Sequence, residues 1–228
     1  MRLATALSLC LAASPLAADP VVVELFTSQG CSSCPPADEL LGELAGREDV
    51  IALSLHVDYW DWIGWADTFA AAGFTERQRG YARAAGTSVV YTPQFVIGGI
   101  DQVAGPSAME LVTLINAHQG ATGDVLELIA PADGAPAALR ADAGGVPARL
   151  VMVGLLPEAK VSIGRGENAG REVTYHNIVQ SWTVLGDWDG SAKRIDLPQG
   201  EAGHRHVVLA QTLDDGAPGP VIGAVKLD

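Results

Sequence analysis

Cysteine is scarce in this chain of 228 residues. There are three, and one of them, Cys10, falls in an apolar N-terminal run. A structural zinc site of four cysteines is therefore excluded, and the five histidines include no pair at zinc-finger spacing. Basic residues are also few: 14 Lys and Arg face 27 Asp and Glu, for a formal net charge of -13. Neutralising phosphates needs a basic face, so this balance argues against nucleic acid and against anionic membrane surfaces as partners. Past the N-terminus no apolar run reaches membrane length. There is no internal repeat and no low-complexity tract. Hydrophobic residues make up 48% of the chain, ample for a packed core, and the length allows one large domain or two modest ones.

The N-terminus has the pattern of a secretory leader. Met1-Arg2 is a short positive region, Leu3 to Ala13 is apolar, and small residues follow up to Ala18. Residues 1–18 are predicted to be a signal peptide, cleaved after Ala18. Leu9 precedes Cys10 where a lipoprotein would carry a small residue, so lipidation is not expected. The expected location is the periplasm or the exterior, with no membrane anchor in the mature form. In such an oxidising place a lone cysteine pair can equally rest as a disulfide.

The remaining two cysteines form Cys31-Ser32-Ser33-Cys34, between an apolar run, Val21 to Phe26, and a helix-like stretch beginning Pro35-Pro36. A helix N-terminus carries partial positive charge, which favours thiolate over thiol. Two intervening residues let one turn bring both sulfurs within bonding distance, so the pair can cycle between dithiol and disulfide. A structural disulfide and half a zinc site have the same spacing and remain alternatives, as does Cu(I) held by the two soft thiolates. A second motif, Thr92-Pro93-Gln94-Phe95-Val96-Ile97-Gly98-Gly99, sets a proline at the start of a strand-like run, where its missing N–H is tolerated.

Periodicity predicts strands at 21–27 and 50–57, helices at 37–46, 69–85 and 107–118, and a hairpin of 94–97 with 100–104 across Gly98-Gly99. Arg77, Gln78, Arg79 and Arg83 are assigned to the polar side of the second helix. After Gly120 come short alternating runs at 125–129, 137–141, 150–156, 172–185, 193–197, 206–211 and 221–227, split by Gly, Pro and Asp. The expected fold is an α/β domain, residues 19–120, which with its Cys-x-x-Cys between strand and helix resembles a thioredoxin-like domain, followed by an all-β antiparallel sandwich-like domain, residues 121–228.

The stretch Val23 to Pro36, together with His56-Val57-Asp58-Tyr59-Trp60-Asp61, resembles a family of secreted Gram-negative bacterial proteins of uncharacterised function. The resemblance spans nearly the whole mature chain. It implies a thioredoxin-like domain with a β-rich region after it, and a cis-proline loop at Thr92-Pro93 that faces the dithiol and holds substrate peptides. The chain departs from thioredoxin itself: there is no Trp-Cys-Gly-Pro-Cys, and two prolines follow the second cysteine.

The function expected on these grounds is thiol–disulfide exchange with a protein client or redox partner, an oxidoreductase activity needing no cofactor and no metal. Cys31 is the expected nucleophile and Cys34 the resolving thiol. Thr92, Pro93, Trp60 and Trp62 are the candidate substrate-binding residues, and Glu24, an acid in an otherwise apolar strand, is a candidate for proton transfer. Packing is the alternative role for the tryptophans, and a satisfied carboxylate for Glu24. His56 is read as a packed strand histidine, His204 and His206 as neighbours on one strand face, and Gly164 to Gly170 as a turn. The other overall reading is a non-catalytic binding module with a structural disulfide.

Overall fold

The computed structural model describes residues 20–121, 123, 125–129, 137–143 and 145–227. The segment read as a leader lies outside them.

Strand β1 (Val21–Thr27) is buried at every position, as expected of a central strand covered on both faces. It pairs in parallel with β2 (Val50–His56) and antiparallel with β3 (Gln94–Ile97), which turns back as β4 (Asp101–Ala104). Helix α1 (Pro35–Leu44) and helix α3 (Ala108–His118) cover one face, where Val21, Val23 and Leu25 pack with Leu41, Leu111 and Ile115. Helix α2 (Ala72–Ala84) covers the other, where Val22 and Phe26 pack with Phe74 and Tyr81.

The second half of the chain is built on long strands. β7 (Ala148–Ser162) and β8 (Glu172–Trp188) form an antiparallel ribbon, with register shifts at Leu150/Val151 and Gly154/Leu155. β10 (Arg205–Asp214) pairs with β7, and β11 (Ala217–Lys226) with β10. Three short strands, β5 (Leu126–Ile129), β6 (Ala138–Ala141) and β9 (Lys193–Asp196), make a separate sheet.

This arrangement overturns the expected fold class. Strands from both halves join one eight-stranded mixed sheet in the order β11-β10-β7-β8-β2-β1-β3-β4, and the small sheet has only three strands. There is no α/β thioredoxin-like unit followed by a sandwich. The join is the parallel contact of β8 with the edge of β2, in register at Ser54 and Ile178. An open edge strand offers unpaired backbone groups, and β8 covers it. Alternation in the sequence located the strands, but it does not encode which distant strand fills an edge.

The polar side assigned to α2 also needs correction. Gln78 is fully buried, donating from Nε2 to Tyr91 O (2.7 Å) and Gln94 Oε1 (2.8 Å), and Arg77 reaches inward to β1.

Candidate disulfide site

At the end of β1 the chain turns through Ser28, Gln29 and Gly30 into Cys31, whose N–H donates to Ser28 O. Cys31 and Cys34 are joined as a disulfide, with their Cα atoms 5.4 Å apart. Cys34 is the N-cap of α1, and its carbonyl accepts the N–H groups of Ala37 (2.8 Å) and Asp38 (3.1 Å). Pro35 and Pro36 occupy the first helical positions, where no N–H is required. Cys31 and Cys34 are 1% and 0% exposed, so the folded disulfide gives Cys31 little of the solvent access expected for it. Ser32 and Ser33 between them are exposed.

The Thr92–Pro93 peptide bond is cis, and the loop lies beside the disulfide. Ser33 Oγ is 3.4 Å from Cys31 Sγ and makes a long contact of 3.5 Å to Thr92 O. Trp60 Nε1 donates to Thr92 Oγ1 at 2.8 Å. Trp60 is thus joined to Thr92, and Thr92 through Ser33 to the cysteine pair. Trp62, on the short 3-10 turn Asp61–Ile63, is 82% exposed. Trp65 is used differently: its Nε1 donates to Gln29 Oε1 at 2.8 Å.

Behind the disulfide, under α1, lies a buried polar cluster. Thr27 and His56 are register partners on β1 and β2. Thr27 Oγ1 donates to Asp38 Oδ1 (2.7 Å), and Asp38 Oδ2 has no hydrogen-bond partner among the described residues. Burial holds the Asp38 carboxyl well above the usual carboxylate range, with the nearby charge of Asp67 adding to the effect. His56 Nδ1 is 2.7 Å from Asp67 Oδ2, and both side chains are fully buried. Asp67 Oδ2 also accepts the N–H of Gln29 (2.7 Å), which ties the cluster to the loop that carries Cys31. The rings of Phe69 and Tyr175 meet His56 edge-on. Burial, followed by the charges of Asp38 and Asp67, pushes the Tyr175 hydroxyl up.

Glu24 lies elsewhere. It faces α2, where Arg77 donates to it from Nε (2.5 Å) and Nη2 (2.8 Å), and Tyr81 from its hydroxyl (2.5 Å). A carboxylate saturated in this way is a structural ion pair. Asp38, which sequence reasoning missed, is the buried acid in the first turn of the helix that Cys34 caps. Its spacing was the available signal: Asp38 follows Cys34 by four residues on a helix and so shares its face. An acid in a first helical turn otherwise reads as an exposed partner of the helix dipole.

The second missed residue is Asn168, in the loop joining β7 to β8. It is 1% exposed, and its Nδ2 donates to Gln29 O (3.0 Å) and Cys31 O (2.8 Å). The Gly164 to Gly170 turn thus closes over the cysteine loop. His204 precedes β10 rather than sharing a strand face with His206, whose Nε2 accepts the N–H of Glu201 (3.1 Å).

A family model described as "Protein of unknown function (DUF1223)" matches residues 22–211. The chain belongs to that family. A structural-genomics crystal structure of a protein from Agrobacterium tumefaciens is 36% identical and superimposes with a TM-score of 0.79, covering 92% of this chain and 94% of that one. HBP35 of Porphyromonas gingivalis is similar in fold alone: it is 13% identical, with a TM-score of 0.55 over 92% of this chain and 74% of its own. No curated protein matches the chain.

Proposed function

We propose that the protein exchanges disulfides with a protein client through Cys31 and Cys34, in the periplasm or outside the cell. The observation that carries this reading is the company the disulfide keeps. One helical turn into α1 stands Asp38, a buried acid with a free carboxyl oxygen, and beside the pair lies the Thr92–Pro93 loop with Trp60. A buried acid whose carboxyl is held above its usual range, close in the chain to a cysteine pair, is the kind of group that exchanges protons at functional sites.

The exchange runs as follows. A client thiolate attacks Cys31 Sγ, the Cys31–Cys34 bond breaks, and a mixed disulfide with Cys31 forms. Cys34 leaves as a thiolate and takes up a proton. A second client thiolate then attacks the client sulfur of the mixed disulfide, expelling Cys31. The client is oxidised and the pair reduced; the reverse sequence reduces a client disulfide. The net charge of -13 suits a protein partner rather than a nucleic acid.

The test is trapping. Cys34→Ser expressed with its leader in a Gram-negative host leaves Cys31 without its resolving partner. Mixed disulfides that accumulate on Cys31 and vanish with thiol treatment are the expected result. A specific observation favours the second reading, a binding module with a structural bond: both cysteines are buried. The reduction potential separates the two, because a structural disulfide lies below about -300 mV and an exchanging one above it.

A further inference from the structure

On the α2 side of the sheet, away from the disulfide, the helix and the strands β7, β8 and β10 enclose a cleft of about 460 Å³. That volume falls in the range of small-molecule sites. Phe74, Trp182, Val184 and Leu213 form its apolar wall. Val184 is 55% exposed and Leu213 36%, so this wall presents apolar surface to solvent on strands that otherwise bury it.

Three of the four charged groups that line the cleft are guanidiniums. Arg77, Arg83 and Arg149 line it in a protein whose net charge is -13. The fourth is Glu76, which forms an exposed surface pair with Arg79 at 2.5 Å. Arg77 is held by Glu24, Tyr81 and Gln211, with its guanidinium carbon 4.1 Å from the centre of the Trp182 ring, which fixes both side chains. Arg83 has no ion-pair partner among the described residues. Arg149 has only the exposed Asp187, 2.9 Å away, and surface pairs of this kind exchange partners at little cost. An apolar wall with guanidinium forks at its mouth fits one ligand chemistry, because a guanidinium matches a carboxylate in two parallel hydrogen bonds.

We propose that this cleft binds a medium-chain carboxylate, with its tail against Trp182, Val184 and Leu213 and its head group between Arg83 and Arg149. The site is independent of the disulfide, and its ligand need not be a thiol.

Titrating the full-length mature protein with decanoate, below its micellar concentration, tests the proposal. Binding is followed by calorimetry and by the indole N–H resonance of Trp182, assigned with Trp182→Phe. The expected result is saturable binding at one site that moves this resonance. Arg83→Ala should weaken it by about tenfold, the loss of one charge-assisted pair. Val184→Glu, at an exposed position, should abolish binding while the melting temperature stays as in the wild type. Decanol binding as tightly as decanoate, binding that both variants leave intact, or no saturable binding would each overturn the proposal.

Discussion

The side-chain amide of Asn168 donates to the carbonyl oxygen of Cys31 at 2.8 Å, across 137 positions of sequence. The same nitrogen serves Gln29 O, so one buried residue of the second half fixes the loop that carries the first cysteine. Asn168→Ala would leave Gln29 O inside the protein without its donor, and Cys31 O with the Cys34 N–H alone, at 3.2 Å. The expected loss is about 1–3 kcal/mol, the penalty of an unsatisfied buried group. A lower urea midpoint with an unchanged slope, together with faster reduction of Cys31–Cys34 by dithiothreitol, is the expected pair of results. A midpoint equal to that of the wild type would show that the carbonyls find other partners.

That contact also marks where the sequence stops being legible. The strand at 21–27 could be read residue by residue because its apolar run is a local signal. So could the hairpin across Gly98-Gly99 and the helix entered at Pro35-Pro36. Gly164 to Gly170 was equally readable as a turn, yet nothing local says that its asparagine reaches a cysteine loop from the other half. The sheet failed to be legible for the same reason. Short alternating runs suggested a sandwich, but β8 instead completes the edge of β2. Arg77 and Gln78 look like surface residues of a polar helix face, and only their partners, Glu24 on β1, Tyr91 in the loop before β3 and Gln94 on β3, draw them inward. Asp38 shows the limit for the site: its spacing from Cys34 was visible and its burial was not.

Asp38 should make stability depend on pH. Its folded-state carboxyl titrates well above the ordinary value of 3.8, which the unfolded chain keeps. Below that value both states are protonated and the residue has no effect. As the pH rises past it the unfolded state loses its proton first, so it binds fewer protons than the folded state and stability falls. The fall ends once the folded carboxyl has ionised. Asp38→Asn cannot titrate, so its stability relative to wild type should improve from about pH 4 upward, by at most ~1.4 kcal/mol per pH unit. Urea unfolding of both proteins between pH 4 and 8 measures the gap. A constant gap would show that Asp38 ionises normally.

Glu24 and Arg77 form a buried pair whose carboxylate is fully enclosed. Arg77→Met removes the cation and leaves the acid with the Tyr81 hydroxyl. The expected destabilisation is about 3–5 kcal/mol, the effect of an uncompensated buried charge. The double variant Glu24→Gln with Arg77→Met should recover much of it, because no charge is then stranded. A double-mutant cycle on the melting transition gives the coupling. Single and double variants of equal stability would mean that the charge is not what matters.

Trp62 stands 82% exposed, so Trp62→Ala should leave the melting temperature within about 1–2 °C of wild type, since surface changes stay within about 0.5 kcal/mol. If the exposed ring contacts the client, the same variant in the Cys34→Ser background should trap less of it, while reacting normally with a small disulfide. Equal client yields would remove Trp62 from the site.

Gly99 ties the two halves together by having no side chain. It turns from β3 into β4 with φ +72°, and a Cβ there would sit 2.3 Å from the backbone oxygen of Gly219. Next to it, Val221 N–H donates to Gly98 O at 2.9 Å, so the turn is pressed backbone to backbone against β11. Gly99→Ala faces two penalties. The first is the left-handed backbone, about 1–2 kcal/mol for a residue with a Cβ. The second is displacement of Gly219, in β11, whose carbonyl also accepts Gln211 Nε2 at 2.8 Å and so cannot yield without disturbing that bond. Gly86 separates the two penalties. Its φ is +71°, nearly the same, but a Cβ there meets nothing within 4 Å. Gly86→Ala should therefore lose only the backbone term, and Gly99→Ala should lose clearly more. Chemical denaturation of the two variants side by side reads the difference directly. Equal losses would show that β11 has room to retreat and that the joint between the halves is softer than the packing at Gly99 implies.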